Sequence, residues 1–189
     1  MRGIAQQLGT GAASLYAHVS GKEELLELVF DELVGRVALP EPDPLTWREQ
    51  LHRMAFDLRA ILLSHRDVAL AGLGRVPSSP KVLRAAEAVV AVMRAGGLSD
   101  RVLALGLDQF LLFVAASAFE DSLYDARMTA DELAVYFQEV HDFYERLPAD
   151  RFPVLASIAE TMSGPDDVER FEFGMTALLA GFEAMSRSG

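Results

Sequence analysis

The sequence predicts an all-α protein in two parts, a small helical N-terminal domain and a larger helical domain after it. Three observations predict this. Apolar residues recur at helical spacing along the chain, and no segment alternates as a half-buried strand must. Glycine and proline divide the sequence into helix-length pieces. Apolar residues make up 51% of the 189, against 24% charged, which is enough for a packed core and far from the composition of disordered chains.

In chain order, the spacing predicts a short helix over 1–8, a second over 11–19 and a third over 22–37. Ser20 is the expected N-cap of the third, and Glu23 and Glu24 fall in its first turn. Pro40, Pro42 and Pro44 interrupt the pattern and mark the boundary between a domain of residues 1–38 and one of residues 45–189. Thr46 can cap a helix reaching Ser64, with Leu51, Met54, Ala55, Leu58 and Leu62 forming one buried stripe. A short piece over 66–73 comes next, followed by a helix over 79–95 that stops at Gly96 and Gly97. A long helix over 99–124 is apolar nearly all round, and another over 129–147 opens with the capping-box sequence Thr129-Ala130-Asp131-Glu132. A turn or two follows Phe152. The last helix, 165–185, starts at Pro165 and buries Phe171, Met175, Leu178, Leu179 and Phe182.

The chain has no cysteine, so disulfides and thiolate chemistry are excluded, and a reducing, cytoplasmic setting is expected. Residues 1–22 are too interrupted by polar and glycine positions for a secretory signal. The apolar stretch 102–119 contains Asp108 and Gln109, so a buried helix is expected there and no membrane partner. Net charge is −11, which at first argues against nucleic acid. The distribution reverses the argument. Residues 1–22 hold Arg2 and Lys22 and no acid, a local +2, while the remainder, with 15 basic and 28 acidic residues, carries −13.

Within that basic start, Ile4, Ala5 and Leu8, then Gly9, then Leu15 and Val19 fit two short helices packed across a tight turn, which is helix-turn-helix spacing. With Leu15 and Val19 inward, Ala12, Ala13, Ser14, Tyr16, Ala17 and His18 are left for the outer face. Ala12 and Ala13 are small enough for close approach to base edges, Ser14, Tyr16 and His18 can bond base or phosphate, and Lys22 adds charge at a helix start. The run from Ile4 to Leu25, IAQQLGTGAASLYAHVSGKEEL, resembles the signature of the tetracycline-repressor family. The resemblance implies operator contacts at Arg2, Ala12, Ala13, Ser14, Tyr16, His18 and Lys22, with Tyr16 and Lys22 as phosphate clamps. It also implies a further helix before Met1, so the DNA-binding domain as given lacks its first helix.

The resemblance continues through Trp47, Leu62-Leu63-Ser64-His65-Arg66-Asp67, Leu73-Gly74-Arg75-Val76-Pro77, Gly96-Gly97-Leu98, Phe173-Gly174-Met175 and Gly181-Phe182-Glu183. It implies an effector-binding and dimerisation domain, a homodimer bundled through the long and the last helices, and a ligand-responsive repressor on a palindromic operator. Family members that bind tetracycline with magnesium use histidine, asparagine and phenylalanine where this chain has Ala38, Met54, Leu58 and Gly72. The implied effector is therefore small and largely apolar, in a pocket lined by some of Met54, Leu58, Leu62, Met93, Phe110 and Phe113, and no cofactor is implied.

Other signals point elsewhere only weakly. His65-Arg66-Asp67 spells the kinase catalytic tripeptide without a glycine-rich loop or a strand lysine. The histidines at 18, 52, 65 and 141 lack metal-site spacing, and Glu120, Asp121 and Asp125 at a helix end read as a solvated face. An enzyme is not expected. The alternative is a helical small-molecule-binding or scaffolding module without DNA binding.

Overall fold

The computed structural model describes residues 2–7, 9–65, 78–163 and 166–187. All regular structure among them is helical: α1 (Arg2–Gln7), α2 (Ala12–Tyr16), α3 (Lys22–Val34), α4 (Trp47–Leu63), α5 (Pro80–Ala95), α6 (Asp100–Arg127), α7 (Ala130–Glu145), α8 (Pro153–Ser157), α9 (Ala159–Ser163) and α10 (Asp167–Arg187). The expected piece over 66–73 and the motif Leu73 to Pro77 lie outside the described residues, as do Arg66, Asp67 and Gly72. Two compact units result, one from Met1–Phe119 with Gly181–Gly189, the other from Glu120–Ala180.

The core of the first unit follows the predicted stripe of α4, whose Leu51, Met54, Ala55, Leu58 and Leu62 are buried, against α5 with Val82, Ala86, Val89, Val92 and Met93. From α6 come Val102, Leu103, Phe110, Val114 and Ala118. By length and composition alone 100–124 would suffice to cross a membrane, and 39% of that apolar window is buried inside the protein. The turn ending α5 is set by Gly97 at φ +79°: its N–H bonds Arg94 O at 2.9 Å, and Leu98 N–H reaches back to Met93 O at 3.3 Å. Met93 and Leu98, the two ends of that motif, are both buried. Trp47 packs on Gly96, where an added Cβ would sit 2.5 Å from the indole Cδ2. An Arg48–Glu183 ion pair and a bond from Ser99 N–H to Ser186 Oγ (3.0 Å) tie the end of α10 into this unit.

In the second unit α7 packs on α8 and α9. The capping box forms: Glu132 N–H donates to Thr129 Oγ1, and Thr129 N–H to Glu132 Oε2 at 2.8 Å. Tyr124 meets the rings of Tyr136 and Phe137 at 5.9 and 5.7 Å, and burial pushes its phenol pKa up. Glu120, from the acidic cluster at the α6 end, pairs with Arg170 at 3.4 Å.

Two sequence expectations need correction. Ser20 is not the N-cap of α3: Gly21 occupies that position in extended geometry. Both Ser20 donors, N–H and Oγ–H, go instead to the Glu24 carboxylate at 2.6 Å, which holds that carboxyl below its usual range. Second, α3 stops at Val34 rather than residue 37, because Gly35 and Arg36 close with turn bonds to Asp31 and Leu33 carbonyls. Elsewhere the helix limits differ from expectation by one to three residues, the scatter normal for frayed ends.

Candidate nucleic-acid interface and effector pocket

The N-terminal pair of helices is built around one glycine. Gly9 sits at φ +65°, a backbone region open to glycine at little cost. From there its N–H bonds Gln6 O at 3.2 Å, and Thr10 N–H bonds Ala5 O at 2.9 Å. These are the two bonds of a Schellman stop, and they turn the chain so that α2 packs on α1. Ala5 and Val19, 2% and 5% exposed, make the inner contact that the apolar spacing requires.

Once Val19 is inward, the other side of the segment faces solvent. Ala13, Ser14, Tyr16, Ala17 and His18 are exposed, Tyr16 by 53%, and Lys22 is exposed at the start of α3. An exposed tyrosine beside a buried valine is what a groove-reading helix needs, because its contacts are made only when duplex arrives. The side chains of Arg2, Ala12 and Leu15 lie outside the described residues. At five residues α2 is shorter than the expected 11–19, and Ala17 and His18 continue it as a turn with Ala17 N–H on Ala13 O at 3.1 Å.

The expected pocket residues lie in the first unit. Met54, Leu58 and Leu62 on α4, Met93 on α5 and Phe110 on α6 are buried, and Phe113 is half-buried. Ala38, which replaces the family's linker histidine, is exposed. Sequence reasoning missed a polar feature beside this set. Arg59 is 5% exposed, and its Nε lies 3.4 Å from Ser117 Oγ on α6, one turn beyond Phe113. The register could have revealed it, because Leu51, Ala55 and Arg59 are spaced by four and share one face of α4. His65 of the kinase-like tripeptide makes a local contact, its Nδ1 lying 2.9 Å from Ile61 O.

A short exposed helix packed on another across a glycine stop is helix-turn-helix architecture. Residues 39–186 match the family described as tetracyclin repressor-like, C-terminal domain. The HTH-type transcriptional repressor DrrR1 of Streptomyces coeruleorubidus is 31% identical over 193 residues, covering 98% of this chain and 70% of that protein. The class D tetracycline repressor protein of Escherichia coli is 28% identical over 185 residues, with 96% and 78% covered. Among solved structures, ActR of Streptomyces coelicolor in complex with actinorhodin superposes with a TM-score of 0.86 at 39% identity, over 98% of this chain and 87% of that one. The chain belongs to the tetracycline-repressor family of transcriptional regulators.

Proposed function

We propose that this chain is a ligand-responsive repressor that acts as a homodimer in the cytoplasm. Two copies read a palindromic operator, and a small, largely apolar effector releases them. The observation that carries the DNA-reading part is the exposure of Ser14, Tyr16 and His18 while Val19 is buried, on a segment without a single acidic residue. Ala12, Ala13 and Ser14 read base edges, Tyr16, Lys22 and Arg2 hold phosphate, and His18 serves either.

Pairing of two copies is supported by stripes left exposed on two helices. On α6 these are Leu105, Leu112 and Ala116, and on α10 Phe173, Ala177, Ala180 and Ala184. Such faces suit a two-fold bundle, in which each copy offers the same surface to the other. The paired recognition helices then meet successive major grooves about 34 Å apart.

The effector binds among Met54, Leu58, Leu62, Met93, Phe110 and Phe113, with the Arg59 guanidinium at the polar end. ActR has been solved with actinorhodin and with (S)-DNPA, which supports a small-molecule effector for this relative of similar fold. Release follows from differential affinity: a shift from 1:99 to 99:1 needs about 5.5 kcal/mol of preference for the non-binding state. A gel shift with duplex from upstream of the chain's own gene tests the reading. Retention that weakens steeply with salt is expected, and no retained duplex at low salt would contradict it.

A further inference from the structure

The start of α5 takes its cap from another helix. Ser79 stands at the N-cap position in extended geometry, yet its side chain caps nothing, and Pro80 at the first helical position has no N–H. The next two amides, Lys81 and Val82, are those an N-cap side chain ordinarily satisfies. Both donate to Asp31 Oδ1, at 2.9 and 3.2 Å. Asp31 belongs to α3, about fifty residues away in sequence. Thus a carboxylate on one helix caps the other, and the negative charge sits where the α5 dipole is positive.

The joint is reinforced on both sides. Lys81 Nζ pairs with Glu32, the neighbour of Asp31, and the Lys81 stem lies against Gly35. Leu33 and Val34 of α3 and Val82 and Ala86 of α5 are buried beside it. Burial raises the Asp31 pKa, but the bonds from Ser79, Val82 and Lys81 outweigh it and leave the carboxyl below its ordinary range. The joint is therefore ionised and closed.

Position gives the joint its significance. The same thirteen-residue helix begins at Lys22, immediately after the DNA-reading segment, about 14 Å along the axis from Asp31. The other partner, α5, carries near its end Met93, one of the residues proposed above to meet the effector. We propose that Asp31 is the positioning residue that couples the effector domain to the DNA-reading helices, holding α3 to the first turn of α5 so that movement of either displaces the other. This rests on the repressor reading above and adds the point of attachment. Because coupling is reciprocal, it is readable from the DNA side without knowing the effector.

The experiment uses the full chain and the upstream duplex retained in the gel shift, with hydrogen exchange followed over residues 79–95. Three proteins are compared: the parent chain, Asp31→Asn and the double variant Asp31→Ala/Ser79→Asp. Ser79→Asp supplies α5 with a local cap, so the fold keeps its helix start while the tie to α3 is cut. On adding duplex, exchange over 79–95 is expected to slow about fivefold or more in the parent chain. Asp31→Asn, which keeps the acceptor oxygen, should retain most of that slowing. The double variant should bind duplex and show none. Equal slowing in the double variant would reduce Asp31 to a helix cap and overturn the proposal, as would a parent chain that binds duplex without any change over 79–95. A parent chain that binds no duplex is a separate result, and it overturns the repressor reading together with this one.

Discussion

Lys22 gives the DNA-reading segment a quantitative signature. It and Arg2 are the two cations of residues 1–22, so two copies on an operator place four on the duplex. At about −0.9 per phosphate contact, these four contribute about −3.6 to the slope of log affinity against log salt. Lys22→Gln removes one contact per copy and should make the slope shallower by about 1.8. Between 50 and 200 mM salt the variant should therefore lose about 12-fold less affinity than the parent chain. Because Lys22 is exposed at the first position of α3, its replacement removes charge without opening the core. Fluorescence anisotropy of a labelled operator duplex across a salt series measures both slopes. The variant should also weaken binding evenly across operator sequences, since phosphate contacts carry no base information. A slope unchanged by the substitution would show that Lys22 does not meet phosphate and would refute the reasoning.

Three further outcomes follow from named contacts. Leu112→Glu puts a charge into the exposed α6 stripe, so sedimentation should report particles of 20.6 kDa in place of twice that mass; an undisturbed dimer would place the interface elsewhere. Gly96→Ala drives a Cβ into the buried Trp47 ring and should destabilise the fold by about 1–3 kcal/mol in urea unfolding, with no change expected only if the indole can move aside. Asp31 has a folded pKa below the unfolded value of about 3.9, so its bonds stabilise the fold fully above that pH and are lost as pH falls through the lower folded value. Acidification should therefore cost the parent chain more stability than Asp31→Asn, and parallel curves would contradict this.

Much of the fold was legible because glycine and proline act locally. Gly9 and Gly97 announce their turns, Pro40 to Pro44 break the helix pattern, and the capping box at Thr129 forms as written. The buried Val19 and the exposed Ser14, Tyr16 and His18 of the N-terminal segment were legible too, from its short apolar pattern. Local rules misled at Ser20, where Glu24 took the serine's donors and left the cap to Gly21. What escaped the sequence was long-range. The register puts Arg59 on the face of Leu51 and Ala55 but cannot name Ser117 on α6 as its neighbour, and nothing local in α3 shows that Asp31 meets Lys81 and Val82. A clue to the latter existed: the first turn of α5 has no acid and a serine that caps nothing, so its amides required a partner from elsewhere.

The absence of cysteine allows the most direct test of the DNA-reading face, because Ala13→Cys creates a unique thiol on exposed α2. A photo-crosslinker attached there should form adducts with major-groove bases at two operator positions about 10 base pairs apart. The same label on Ala38→Cys, exposed but outside the segment, should give none. Equal adducts from both positions, or none from residue 13 on a duplex that the protein demonstrably retains, would contradict the account.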